Sequence, residues 1–259
     1  MKAARHRSRG AVVALSVTAV LAIGGGVAVA QAPVQDHGRP AAVINLDDAK
    51  ARLQKHFGDH VDADGVHQAS LDSPWGRAVE RVDDQALDHL KGQLKRKPDK
   101  PALVLDIDDT MLSTYSYGAS HDFAYHDAKQ SLQWALDERL PVIQPTLELA
   151  TWAHDHGISI FTVTGRPEQT RAATLDNLRK AGYPEPNGAF FQPAAGSAPD
   201  YLYCASSTCT TTEYKSGTRA HIEAQGYDIL ASVGDQYSDL KGGHAKAVFK
   251  LDNPQYVIP

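Results

Sequence analysis

Cysteine is nearly absent from this chain of 259 residues, which has only Cys204 and Cys209. With no second pair, a four-thiolate zinc site is excluded, and no cysteine precedes Cys204 to take a lipid near the N-terminus. Internal repeats are lacking. Calcium loops of the EF-hand type are incomplete. One with Gly65 in its glycine place would start at His60 and close at Leu71, and one starting at Asp106 would carry Met111 for its glycine and Tyr117 for its final glutamate. Basic charge is also scarce, with 26 Lys and Arg against 31 Asp and Glu. Four of those bases, Lys2, Arg5, Arg7 and Arg9, precede the apolar, alanine-rich run Ala11 to Ala30, which ends Ala28-Val29-Ala30. That is the charge, core and small-residue pattern of an export signal cleaved after Ala30, with an uncleaved membrane anchor as the alternative. Removing residues 1–30 leaves 22 basic residues against 31 acidic, a net charge of −9. An acidic surface argues against sequence-independent nucleic-acid binding, which needs bases to neutralise phosphates. Once the signal is cut, nothing predicts stable membrane association; a homo-oligomer stays open. In an oxidising compartment Cys204 and Cys209 are expected as a disulfide, two free thiols being the alternative.

What is present begins with Pro101-Ala-Leu-Val-Leu-Asp-Ile-Asp-Asp-Thr110. The short apolar run from Ala102 to Leu105 reads as a strand covered on both faces. Carboxylates at its C-terminal end sit where open α/β sheets bind ligands. Crowded carboxylates repel one another and call for a cation. Two further strands repeat the pattern. Ile158 to Val163 ends in Thr164-Gly165-Arg166-Pro167, and Ile229 to Val233 runs into Gly234-Asp235-Gln236-Tyr237-Ser238-Asp239. Helical patterns lie between them, so the fold class is α/β, a Rossmann-like doubly wound parallel sheet.

In chain order the expected divisions are the signal at 1–30, a flexible lead-in over 31–44 and an N-terminal helical segment over 45–100. The core follows over 101–259, with a small helical cap at about 111–140. The N-terminal segment holds one helix from Asn45 or Asp47 to Gly58 and another opened by Ser73-Pro74. Beyond Asp109 the polar, aromatic stretch Ser113 to His126 reads as a lid or pocket wall, followed by a helix over Asp127 to Leu140. Tyr115, Tyr117, His121, Phe123 and Trp134 are candidate substrate-facing residues there, or packing residues. Pro184 to Asp200 reads as a long connection, with Phe190-Phe191 as a buried step.

The ordered set of Asp106 and Asp108, Thr164, Lys215, and Asp235 with Asp239 resembles the haloacid dehalogenase-like hydrolases. Within them, Asp106-Ile-Asp-Asp-Thr-Met-Leu112, Thr162-Val-Thr-Gly-Arg166, Tyr214-Lys-Ser-Gly-Thr-Arg219, Gly234-Asp-Gln-Tyr-Ser-Asp239 and Phe249-Lys-Leu-Asp-Asn-Pro254 are similar to the secreted acid phosphatases of subfamily IIIB. The resemblance covers roughly Ser73 to the C-terminus. It departs at Asp252, where the pattern has proline, a position expected to lie far from the motifs.

The resemblance implies a Mg²⁺-dependent acid phosphatase acting on small phosphomonoesters through an aspartyl phosphate. Asp106 is the nucleophile and Asp108 the acid and base. Thr164, Gly165, Arg166 and Lys215 contact the phosphoryl oxygens. Asp106, Asp235 and the carbonyl of Asp108 hold the metal, with Asp239 as an indirect ligand. Arg166 and Arg219 each either bind phosphate or pair with an acidic neighbour. Two other readings are a phosphotransferase on the same intermediate and a storage or binding protein, since some members of the family have lost the nucleophile. Asp106 is retained here.

Overall fold

The computed structural model describes residues 43–124, 128–138 and 140–258. The export signal over 1–30, most of the lead-in over 31–44, and His126 and Asp127 of the cap lie outside the described residues.

Helix α1, Leu46–Phe57, starts at Asn45, whose side chain accepts the N–H groups of Asp47 and Asp48, and stops at Gly58 in the left-handed region (φ 63°). A short hairpin follows, β1 (His60–Val61) against β2 (His67–Gln68). Its turn is tied by Asp62 Oδ1, which accepts the N–H groups of Asp64 and Val66. Helix α2, Pro74–Leu94, is capped by Ser73, with Pro74 in its first turn.

The main sheet contains β3 (Pro101–Leu105), β4 (Ser159–Pro167), β5 (Gly188–Gln192), β6 (Asp228–Gly234) and β7 (Val248–Lys250) in the order β5-β4-β3-β6-β7, with every pair parallel. Between β3 and β4 lie α3 (Tyr115–Ser120), α4 (Ala128–Leu136) and α5 (Gln144–Asp155). Helix α6 (Arg171–Lys180) joins β4 to β5, and α7 (Thr211–Ala224) precedes β6. The doubly wound parallel sheet is the expected one. Its topological switch point lies between β3 and β6.

Alternation along β3 builds both layers of the core. Leu103 and Leu105 pack in the cluster that contains Val79, Ala86 and Leu90 of α2 and Leu149 and Ala153 of α5. Ala102 and Val104 pack in a second cluster with Tyr214 and Ile222 of α7. Helix α2 therefore belongs to the same layer as α5, and Pro101 divides the chain without dividing the packing.

The segment read as a connection over 184–200 contains a strand. β5 pairs with the outer edge of β4, Phe190 beside Val163 and Phe191 beside Thr164. Flanking Pro and Gly hide it in the sequence, because an edge strand needs only one partner. The cap helix ends at Leu136 rather than Leu140. Cys204 and Cys209 form the expected disulfide, their Cα atoms 4.8 Å apart.

One buried acid lies in the helical layer. Asp83 of α2 is 3 % exposed; its Oδ2 accepts the Thr146 hydroxyl at 2.9 Å, while Oδ1 has no partner among the described residues. Burial pushes its carboxyl up to about 7 from an ordinary 3.8. Between those two values the folded protein holds a proton that the unfolded chain has released, so stability falls as pH rises from about 4 to 7, by on the order of 4 kcal/mol for this group. Urea unfolding of the parent and Asp83→Asn across that range is expected to give a shallower pH slope for the variant. Parallel slopes would remove Asp83 from the account.

Candidate active site

The sheet register brings the sequence motifs to one edge. Leu105 lies beside Thr162 on β4 and Val233 on β6, so Asp106, Thr164 and Asp235 all emerge at the C-terminal ends of adjacent strands. Asp106 still belongs to the sheet through its N–H, which donates to Val233 O at 3.1 Å. The chain then turns, with the N–H groups of Met111 and Leu112 returning to Ile107 O at 2.8 and 2.9 Å. Asp109 takes the left-handed region (φ 51°), which aspartate tolerates better than most residues.

Lys215 enters from the first turns of α7, whose start is fixed by a capping box between Thr210 and Glu213. Its ammonium donates to Asp106 Oδ1 at 2.6 Å and also to Asp239 Oδ1. All three side chains are buried. Asp239 reaches the site because the 3₁₀ turn Tyr237–Asp239 folds back over Gly234. A Cβ on Gly234 would collide with the Asp239 carboxylate, so only glycine permits that approach.

Asp106, Asp235 and Asp239 each offer an oxygen, all within 4.8 Å of one another. Burial pushes the Asp106 carboxyl well above its ordinary range; Lys215 opposes that shift, and Asp239, Asp235 and Asp108 add to it. Asp235 is pushed up to about 6 by burial and then by Asp239. Burial pulls Lys215 down, but Asp106 and Asp239 overcome it and the net direction is upward. One ammonium among these carboxylates leaves negative charge uncompensated, and the available donors are all oxygens. That donor set fits a hard divalent cation such as Mg²⁺.

Asp108 stands apart from the cluster. Its carboxylate is gripped by Arg166, with Nη2 2.7 Å from Oδ1 and Nε 3.0 Å from Oδ2, and a third guanidinium nitrogen donates to Thr174 Oγ1 at 2.9 Å. Arg166 therefore has an acidic partner. Thr164 is fully buried, and its hydroxyl accepts the Arg166 N–H at 3.1 Å. Arg219 does not face the site. It clasps three carbonyls of the loop after Asp239, those of Asp239 (2.6 Å), Gly243 (2.9 Å) and Lys241, and burial lowers its pKa to about 10.

A cavity of about 220 Å³ is lined by Asp106, Asp108, Gly165, Arg166, Lys215 and Asp235, among others. Against it lies a larger and mostly apolar cavity of about 670 Å³, with Tyr117, Phe123, Trp134, Leu140 and Pro167 in its wall. Asp108, Arg166 and Tyr256 line both. Of the aromatic wall expected from the sequence, Tyr117, Phe123 and Trp134 are in place. Tyr115 is a core residue instead, fully buried and stacked on Phe57 with ring centroids 4.5 Å apart. His121 packs against Tyr117, centroids 4.4 Å apart, and is not a wall residue.

Sequence reasoning assigned no role to Gln236, Asn253 or Tyr256. Gln236 Nε2 and Asn253 Nδ2 each donate to Asp235 Oδ2 at 2.6 Å, and the Tyr256 hydroxyl donates to Asp109 Oδ2 at 2.9 Å. The signal available was the run Phe249 to Pro254, whose contacts depend on tertiary closure. Asp252, expected far from the motifs, adjoins this network through Asn253.

The profile of the HAD superfamily, subfamily IIIB (Acid phosphatase), matches residues 42–259. Among curated relatives, Acid phosphatase 1 of Solanum lycopersicum is 27% identical over 199 residues, covering 76% of this chain and 74% of the relative. Vegetative storage protein 1 of Arabidopsis thaliana is 26% identical over 220 residues, covering 84% and 74%. Among solved structures, the Class C acid phosphatase from Bacillus anthracis superposes with a TM-score of 0.60 at 16% identity, covering 82% of this chain and 86% of that one. The chain belongs to subfamily IIIB of the HAD superfamily, the acid phosphatases, which are phosphomonoesterases.

Proposed function

We propose that this acid phosphatase is exported, depends on Mg²⁺ and hydrolyses small phosphomonoesters through a phosphoryl group carried on Asp106. The observation that carries the reading is the buried cluster of Asp106, Asp235 and Asp239 around the Lys215 ammonium, at the floor of a cavity that opens beside an apolar one. Lys215 opposes the upward push of burial on the Asp106 carboxyl and holds one of its oxygens in place, as a nucleophile must be held.

In the first step an Asp106 oxygen attacks phosphorus as the bond to the ester oxygen breaks, and Asp108 gives that oxygen its proton. In the second, Asp108 takes a proton from water, the water oxygen attacks phosphorus, and phosphate leaves with Asp106 restored. Asp108 lines both cavities and so stands between the phosphoryl group and the departing group. Arg166 fixes its orientation; proton transfer by such a group is typically worth about 10²- to 10⁴-fold. Lys215 balances charge on the phosphoryl oxygens and on Asp106. Asp106, Asp235 and the Asp108 carbonyl are the groups to hold Mg²⁺, with Asp239 supporting them, and the bound ion would supply electrostatic compensation for the transferring phosphoryl group. Gly165 lines the same cavity, and the fully buried Thr164 supports it from beneath by accepting the Arg166 backbone N–H. The apolar cavity suits an uncharged organic leaving group. Export rests on the leader pattern over residues 1–30 and on the disulfide, and no helix among the described residues is long and apolar enough to cross a membrane.

The test is phosphate release from an aryl phosphate with Mg²⁺, after chelation, and with an added alcohol. Metal-dependent release that is restored by Mg²⁺ is expected, with free phosphate as the main product. Phosphorylated alcohol as the main product would make the protein a phosphotransferase. Lack of turnover across a broad panel of phosphate esters would favour the storage reading that the vegetative relatives suggest.

A further inference from the structure

The stretch Leu251–Ile258 leaves the sheet beside the catalytic carboxylates and is tied down residue by residue. Leu251 extends the pairing of β6 and β7 by donating its N–H to Gly234 O at 2.9 Å, one residue before Asp235. Asp252 is held from the N-terminal helices. His56 Nε2 lies 2.6 Å from its Oδ2, and Trp75 Nε1 donates to its carbonyl at 3.1 Å. Ile258 closes the stretch by donating its N–H to Gln236 Oε1 at 2.9 Å.

Asn253 is the residue aimed at the site. Its Oδ1 accepts the Gln255 N–H at 2.9 Å, so the amide has one allowed orientation, because the flipped group would set two donors face to face. That orientation turns Nδ2 toward Asp235 Oδ2 at 2.6 Å, with Asp109 Oδ2 3.4 Å away. The Gln236 amide donates to the same Asp235 oxygen at 2.6 Å. Among the described residues the other oxygen, Oδ1, meets only the Thr110 hydroxyl, at 3.4 Å. Two amide donors thus occupy one side of the carboxylate and leave the other side under-used.

We propose that Asn253 is a positioning residue for Asp235: together with Gln236 it commits Oδ2 to hydrogen bonds and sets Oδ1 as the oxygen offered to a divalent cation. The inference rests on the metal reading above and adds a residue to it.

Mg²⁺ binding is to be measured by calorimetry on the full chain without substrate, alongside thermal unfolding and ester kinetics over a Mg²⁺ series, for the parent, Asn253→Ala and Asp252→Ala. For Asn253→Ala the Mg²⁺ dissociation constant is expected to rise about 10- to 100-fold, the usual loss when an outer partner of a metal ligand is removed. Its kcat is expected to recover at saturating Mg²⁺ with KM for the ester unchanged. Asp252→Ala is expected to lower Tm while binding Mg²⁺ within twofold of the parent. Should the alanine variant fail to fold, Asn253→Ser carries the same expectation. Binding by the Asn253 variant within twofold of the parent, or an equal loss in Asp252→Ala, would overturn the assignment and leave Asn253 holding the fold only. A parent that binds no Mg²⁺ would bring down the metal reading itself, and this inference with it.

Discussion

Asp106→Asn is expected to lower kcat for phosphomonoester hydrolysis by about 10⁴-fold or more, the scale on which enzymes lose rate when the nucleophile of a covalent mechanism is removed. The substitution keeps the size of the side chain and its hydrogen bond to the β6 edge, which uses the Asp106 backbone. It also removes one negative charge from a cluster that burial already disfavours, so unfolding midpoints should not fall. An inactive protein of undiminished stability is therefore the predicted phenotype. Steady-state release of phosphate, together with a urea or thermal unfolding curve, measures both halves. Turnover within tenfold of the parent would sink the nucleophile assignment, because Asp106 is the carboxylate of the cluster that stands at the C-terminal tip of β3 with Lys215 against it.

Lys215→Met is expected to have the opposite balance, with large costs in both activity and stability. The lysine lies against two buried carboxylates, and removing one partner of a buried pair while leaving the other typically costs about 3–5 kcal/mol. Loss of a preorganised charge at the phosphoryl oxygens adds a fall of about 10²- to 10³-fold in kcat. The stability deficit has a predicted pH dependence. Without the ammonium, burial and the neighbouring acids push Asp106 further up, so the proton it holds in the folded state stabilises at low pH and is lost as pH rises. The gap in unfolding free energy between parent and variant should accordingly narrow toward pH 4 and widen toward pH 8. A gap independent of pH would mean that the lysine serves packing rather than charge.

Much of this site was legible because strand ends are local features. The run Ala102 to Leu105 is apolar on both faces, and it had to be a covered strand with Asp106 at its tip. Thr164 and Asp235 follow runs of the same kind, and parallel register then brings the three together without further information. Lys215 was recognisable through its place in an ordered set of motifs. What could not be read depends on closure in three dimensions. Tyr115 and Tyr117 are two residues apart and chemically alike, yet one stacks on Phe57 in the core and the other lines a cavity, because opposite sides of a short helix meet different neighbours. Arg166 and Arg219 both carry guanidinium groups beside motif residues, but one grips Asp108 and the other three backbone carbonyls. β5 was hidden because its composition resembles a loop and its pairing with β4 supplies the order. Asn253 gave no sign in its surroundings of the aspartate it meets far back in the chain.

The pairing of β3 with β6 bears on how activity is acquired. Leu105 and Val233 lie side by side at the centre of the sheet, yet nearly half of the chain separates them. Contacts between distant segments form late, since the entropy of closing a long loop must be met before they contribute. Helices α1 and α2 can gain local structure well before that closure. In refolding from denaturant, helical circular dichroism should return ahead of enzymatic turnover, with the lag reporting the arrival of β6 beside β3.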